Sequence, residues 1–456
     1  MVAIVTDSFK QQFAKYIYDE VNNSTDSNEF FIGIGKSDAY DSSDAVIAPI
    51  RTLEIEREAR NNLQSIKKVT AQSFVIPRSN WTAGGIYSSW RDDYVGVPTN
   101  SYYILTEDNE VYMCLQAGKN AAGQANTSIV KPSYIDAGVS EHSAFRTSDG
   151  YVWKLCYGIS AARANSFLSS TYMPVQDIEI DSSGANAFEL QQLNIQNTAK
   201  KGQILGFDIV SGGTGYTTAP TITISGNGSG ATATAYVSGG AIIKVEMNNE
   251  SAGLGSGYTF ARANLSAGNG IIRPIIGPYD GIGKSVISDL KSSSVMFNIK
   301  PEGAEGGSFN TTNDFRQILL FKNLETTDSA ADGTRYTSNV DRAQRYLTIT
   351  STIAASGFAV DEVITGATSG STAYIDELDS STGNIIWFHQ NSNNKAGIFA
   401  DGETLSGSLS GSATVDSGDK YSLVDAHTGK LLYIENRARV IRSTVQTEDI
   451  KVIVTV

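Results

Sequence analysis

Two stretches near the C-terminus repeat one another: in FAVDEVITGATSGST and FADGETLSGSLSGSA, Phe358, Glu362, Gly366, Ser369 and Gly370 recur as Phe399, Glu403, Gly407, Ser410 and Gly411, each 41 residues later. A repeat of this length marks one supersecondary unit that buries its apolar face against its own copy. A second segment is set apart by composition. From Gly202 to about Gly270 the chain is rich in glycine and serine, and its runs TITIS and TATAYV alternate with period two, as half-buried strands do. Within it Gly215-Tyr216-Thr217 returns 42 residues later as Gly257-Tyr258-Thr259. Both segments carry small alternating side chains, few charges and no cluster of nucleophile, base or metal ligand. They read as β modules inserted into a host domain, because the surrounding texture resumes after each one and inserts whose ends lie close together cost little stability. The expected organisation is a host domain over 1–200, an inserted Gly-rich β module over 201–270, host again over 271–347, an inserted β module with the internal repeat over 348–418, and the C-terminal part of the host over 419–456.

The remaining chain is β-rich. SFVIP, SYYILT, EVYMCLQ and GYVWKLCYGI follow Ser73 as short runs, and SYYILTEDNEVYMCLQ predicts a hairpin turning on Glu107-Asp108-Asn109. FFIGIG at Phe30 reads as a strand. Helices are expected over Thr6–Val21, where Phe9, Phe13, Tyr16, Ile17 and Val21 keep helical spacing, and from Leu53 through LEIEREARNNLQSI, where Ile55, Ala59, Leu63 and Ile66 form one stripe. Ile159–Ser169 also has helical composition. The fold class is therefore mainly β with a few helices, an α+β protein whose host is a multi-layer antiparallel structure.

Charge and composition exclude several functions. With 35 Lys and Arg against 48 Asp and Glu the net charge is −13, which argues against a grip on nucleic acid. Three His and two Cys leave little for a zinc site or a disulfide framework. The opening MVAIVTDSFKQQF lacks the basic and apolar regions of a signal peptide, so a soluble chain made in the cytoplasm is expected, with Cys114 and Cys156 as reduced, buried thiols. No membrane insertion is expected either: Ile271–Ile276 is broken by Arg273 and Pro274, far short of the roughly 20 apolar residues that span a bilayer.

Residues that suggest chemistry are each better explained otherwise. GIGKS at Gly33 and again at Gly281 resembles the end of a phosphate-binding loop, but the position needing the loop's first glycine holds Phe30 in one copy and Pro278 in the other. His142, His389 and His427 have no nucleophile context and read as surface or turn histidines. The pairs Asp92-Asp93, Glu107-Asp108, Asp376-Glu377 and Glu448-Asp449 read as solvated faces in so acidic a chain, and Asn80-Trp81-Thr82 carries no weight without secretion. Trp81, Trp90 and Trp153, with 21 Tyr, suit either a core or a protein interface. No catalytic, cofactor-binding or metal-binding residue is assigned, and no enzyme activity or cofactor is expected.

The closing segment HTGKLLYIENRARVIRSTVQTEDIKVIV, from His427, resembles the end of the baseplate wedge subunits of T-even-like contractile-tail bacteriophages, the gene-8 product family. The shared order is a turn at Gly429, a strand at Leu432 and Tyr433, Glu435-Asn436-Arg437, then Gln446, Thr447, Glu448, Asp449 and Ile450 before a final β run. The likeness continues in FFIGIGKSDAYDSSD, EREARNNLQSIKKV, FVIPRSNWTAGGIYSSW, YYILTEDNEVYMCLQAGKNA, FRTSDGYVWKLCYGIS and YMPV, and covers roughly Met1–Ala199, Ile271–Arg345 and Tyr421–Val456. The T-even form lacks the two inserts, which points to the longer form of cyanobacterial phages. The resemblance implies a virion structural protein of the tail baseplate, assembled in the host bacterial cytoplasm, that homodimerises, binds other wedge proteins and rearranges when the tail sheath contracts. The polar clusters Glu435-Asn436-Arg437 and Gln446–Asp449, flanked by β runs, suit ties between neighbouring chains or between strands of one chain. The alternatives are a receptor- or glycan-binding tail protein, motivated by the β modules and aromatics, and a tail-associated glycosidase or lyase.

Overall fold

The computed structural model describes residues 4–22, 28–176, 178, 185–309, 311, 313–327, 333–381, 383–389, 398–443 and 445–456. Among these the protein is mainly β, with six α-helices and multiple antiparallel sheets, an α+β fold. The chain forms two compact units, Met1–Tyr16 with Ser73–Met296 and Ile453–Val456, and Ile17–Gln72 with Phe297–Val452.

In the first unit the strands Tyr103–Leu105, Glu110–Gln116, Val152–Gly158 and Ala144–Arg146 make a four-stranded antiparallel sheet in that order. Its first two strands form the expected hairpin, and Asn109 takes the left-handed turn conformation that asparagine tolerates (φ 59°). Tyr87, Tyr112, Tyr151 and Trp153 pack on one face of this sheet. Cys114 and Cys156, on adjacent strands, are free and buried. Trp90 is buried too and donates its indole N–H to Asp289 O at 3.1 Å.

Ala187–Thr198 forms a helix that has no clear periodic signal in the sequence. Its start carries a capping box: Asn186 accepts from Phe188 N and Glu189 N, while Glu189 returns a bond to Asn186 N. The helix buries Ile195 together with Gln192 and Gln196, so polar side chains dilute the apolar stripe that would have announced it.

The Gly-rich segment of this unit is a set of two-stranded ribbons, among them Ile222–Gly226 with Ala261–Leu265 and Ala233–Ser238 with Ala241–Met247. The incoming strand Ile204–Ser211 pairs with the outgoing strand Ile271–Ile276, which brings the two ends of the segment side by side. The recurring Gly-Tyr-Thr also has a local cause. Gly215 and Gly257 both adopt left-handed φ (76° and 81°), and the tyrosine that follows each, Tyr216 and Tyr258, is buried.

The second unit contains a five-stranded antiparallel sheet in the order Val340–Arg342, Leu63–Lys68, Phe30–Gly35, Phe315–Lys322, Lys430–Val440. Phe31, Leu63, Ile66, Leu319 and Phe321 form its core with Ala59. The helix expected to run from Leu53 to Ile66 stops at Asn61, and Leu63–Lys68 is a strand. Tertiary burial overrides the periodicity: Leu63, Gln64, Ser65 and Ile66 are all buried, a pattern that a helix with one apolar stripe does not produce. The helix does begin as expected, with Thr52 capping Ile55 N.

Residues Arg345 to Tyr421 close into a six-stranded barrel, in the cyclic order Arg345–Ile349, Ile385–His389, Thr372–Asp379, Val363–Gly366, Thr404–Gly407, Ser412–Tyr421. The repeat explains this closure. Ile364 pairs with Gly407 and Gly366 with Leu405, and a shift of 41 residues turns one pair into the other, so a pseudo-two-fold axis passes through the Thr365–Ser406 pair. The repeated glutamates exchange sides across that axis. Buried Glu362 accepts from Ala359 N (3.0 Å) in its own half and Leu409 N (2.7 Å) in the other; buried Glu403 accepts from Ala400 N (2.7 Å) in its own half and from Thr368 N and Ser369 N (both 3.0 Å) in the other. A Cβ on Gly366 or Gly407 would strike the partner glutamate, which is why glycine recurs there. The symmetry slips by one residue after the turns. Ala373 corresponds to Ala413, an offset of 40, because Gly366 N reaches Ser371 O in the first turn but Gly407 N reaches Gly411 O in the second.

Candidate interaction surface

The groups that carry chemistry are mostly consumed by one another. His389, expected at a surface or in a turn, is instead buried on barrel strand Ile385–His389. Its Nδ1 lies 2.7 Å from Asp376 Oδ1 and its Nε2 3.2 Å from Asp38 Oδ2, while Ser37 Oγ stands 3.1 Å from Nε2. Asp376 also accepts from Asn313 Nδ2 (2.6 Å) and Gln344 Nε2 (2.5 Å). Burial pulls the imidazole pKa down, but Asp376 and Asp38 outweigh it and push the pKa up to about 10. Ser37, His389 and Asp376 thus resemble a nucleophile–base–acid line in composition only. A ring that is imidazolium at neutral pH, with a carboxylate on each nitrogen, has no lone pair with which to take a serine proton.

The phosphate-loop resemblance resolves the same way. Gly33 and Gly35 are strand residues packed against Leu63 and Asn62, and Lys36 pairs with Glu58 at 3.3 Å. In the second copy Gly283 N donates to Asp289 Oδ2 at 2.6 Å. The carboxylate pairs meet cations: Asp93 meets Arg91, Glu107 and Asp108 meet Lys131, Glu377 meets Arg342, Asp449 meets Lys451 and Glu448 meets Arg442. Among the described residues no group of three or more His, Cys, Asp and Glu is placed to hold a metal ion. His427 lies in an exposed turn, and His142 is half-buried.

The two polar clusters of the C-terminal segment part company. Glu448 accepts from Arg442 Nε (2.8 Å) and Nη2 (2.9 Å), and Arg442 also reaches Gly303 O, so this cluster ties strands of one chain together. Glu435-Asn436-Arg437 sits on Lys430–Val440, the outer strand of the five-stranded sheet. Asn436 accepts from Gln317 Nε2 and donates to Ile47 O, both at 2.8 or 2.7 Å, and Tyr40 Oη plugs the bulge beside Arg437, bonding Arg316 O and Arg437 N. Neither Glu435 nor Arg437 enters an ion pair among the described residues.

None of the eleven residues of this strand is buried. An open groove of about 470 Å³ separates Leu431–Ile434 from the segment Pro49–Thr52, and Ile50 and Leu432 stand exposed along it. A long outer strand with exposed apolar side chains is a template for another strand, and isolated proteins usually blunt or cover such an edge. Only the Glu-Asn-Arg pattern of this edge was visible in the sequence; its position at the rim of a sheet depends on pairings with Phe315–Lys322, more than a hundred residues away.

No protein-family model matches the chain, and no curated protein matches it.

Proposed function

We propose that the chain is a virion structural protein, a wedge subunit of a contractile phage tail baseplate, which acts by homodimerising and by binding other wedge proteins. The observation that carries this reading is the outer strand Lys430–Val440. Leu432, Tyr433, Glu435, Asn436 and Arg437, which carry much of the resemblance, are the same residues that stand on the open edge.

The strand is complementary to a second copy of itself. In an antiparallel pair centred on Asn436, Glu435 of each copy faces Arg437 of the other, Leu432 faces Val440 and Tyr433 faces Arg439. Cross-strand pairs of opposite charge and aromatic–cation pairs each favour such pairing. An isologous contact of this kind uses the same patch twice and closes as a dimer. It would join two five-stranded sheets into one of ten strands.

The buried His389 network supports assembly over catalysis, since its charges are spent on joining the barrel to the loop at Ser37 and Asp38. The two β modules serve in this reading as surface additions to the plate. A density map of the intact tail tests the assignment: the chain is expected as a two-fold pair in each wedge, and a map with no such pair would overturn it.

A further inference from the structure

A cavity of about 290 Å³ opens in the first unit beside the four-stranded sheet, against Lys154, Lys200, His142, Ser143, Gln203 and Glu250. We propose that it binds a small, doubly charged oxyanion of the phosphate class, held by the Lys154 and Lys200 ammonium groups. Strand Val152–Gly158 is buried throughout, and its alternation sends Trp153 and Leu155 into the aromatic core and Lys154 to the opposite face. Lys154 is 6% exposed, and among the described residues its ammonium makes no hydrogen bond and has no carboxylate within 4.0 Å. A buried ammonium without an anion is unfavourable, so a chain that keeps one beside a cavity keeps it for something that enters the cavity.

The other charged groups nearby leave that role open. Glu250 is taken by Arg146 Nε at 2.5 Å, and Arg146 also bonds Glu246, Gly150 O and Gln116. Asp289, the buried carboxyl that acts on Lys154 from farther off, is pushed up to about 7 by burial and accepts from Gly283 N, so it is an incomplete counter-charge. Burial keeps the Cys156 thiol protonated and lowers the Lys154 pKa. On the rim His142 Nδ1 is buried without a hydrogen-bond partner. Two ammonium point charges and an imidazole suit the several oxygens of a tetrahedral anion, whereas a planar carboxylate is better met by an arginine fork, and Arg146 is already committed. The volume is at the small end for ligand pockets, so the anion is small.

Inorganic phosphate is the probe. Isothermal titration and thermal melting of the full chain, with chloride and acetate at matched ionic strength as the other arms, are expected to show phosphate binding and a phosphate-dependent rise in Tm. Lys154→Met should abolish both and raise the Tm measured without phosphate. Lys200→Ala, at an exposed position that leaves folding intact, should weaken phosphate binding about tenfold. Phosphate effects that survive in Lys154→Met or are unchanged in Lys200→Ala, acetate binding as strong as phosphate, or no phosphate effect in the native chain would each overturn the proposal.

Discussion

The second unit holds two β structures that meet the problem of strand edges in opposite ways. The barrel of residues 345–421 closes on itself, and its repeated halves supply each other's caps through Glu362 and Glu403. The five-stranded sheet stops at Lys430–Val440, eleven residues with none buried, beside an open groove. Closure removes edges altogether, whereas a long open edge is stable in solution only when something pairs with it or keeps others away. A duplicated segment can satisfy itself within one chain. In the proposed dimer, a single strand with the pattern Glu-Asn-Arg would find its complement in a second chain.

The contrast predicts where substitutions act. Phe388, fully buried in the barrel, should be the most sensitive position: Phe388→Ala is expected to lower stability by about 3–5 kcal/mol, read as a drop in denaturation midpoint, while leaving the oligomeric state of folded protein unchanged. Next in size is the charge network that anchors the barrel. His389 has a folded pKa raised to about 10, above the unfolded value of about 6.5, so its contribution is fully present below pH ~6.5 and is lost as pH rises through 10. The native chain should therefore lose on the order of a few kcal/mol between pH 6.5 and 10 that a His389→Gln variant, already weaker, does not lose. Equal pH slopes in the two would remove the network from the account.

A smaller effect sharpens the symmetry. Glu362→Ala and Glu403→Ala each strand backbone N–H groups in both halves, and each should cost about 2 kcal/mol, with the two values similar because the roles are exchanged across the axis. If one substitution were silent and the other severe, the repeat would reflect descent without a shared structural task.

The duplication behind the barrel was legible in the sequence but its closure was not; each repeated residue has a local reason that duplication copies: a buried phenylalanine, a capping glutamate, a glycine that admits the partner's carboxylate. The one-residue slip after the turns was not legible, since Ser369-Gly370 and Ser410-Gly411 align in sequence while the strands that follow them pair with an offset of 40. The hairpin at Asn109 and the strand at Phe30 were readable from turn chemistry and β-branched or aromatic runs. The helix from Leu53 was over-extended because Leu63 and Ile66 fit a helical stripe as well as they fit a strand buried on both faces. His389 reads as a surface or turn residue in the sequence for a related reason: Asp376 and Asp38 lie 13 and 351 residues away, and only the fold brings them to its two nitrogens. The open edge is legible in residue types but not in place, because an outer strand is defined by what fails to pair with it.

The most direct measurement is the mass of the purified chain by light scattering as a function of concentration, for the native protein, Glu435→Arg, Arg437→Glu and the double exchange. Paired edges predict a native dimer, a dimer weakened about tenfold (~1.4 kcal/mol) by either single reversal, and recovery in the double exchange, where the same charges meet with their order inverted. A dimer indifferent to all three variants, or a double exchange no stronger than the single reversals, would contradict the pairing of this strand with its copy.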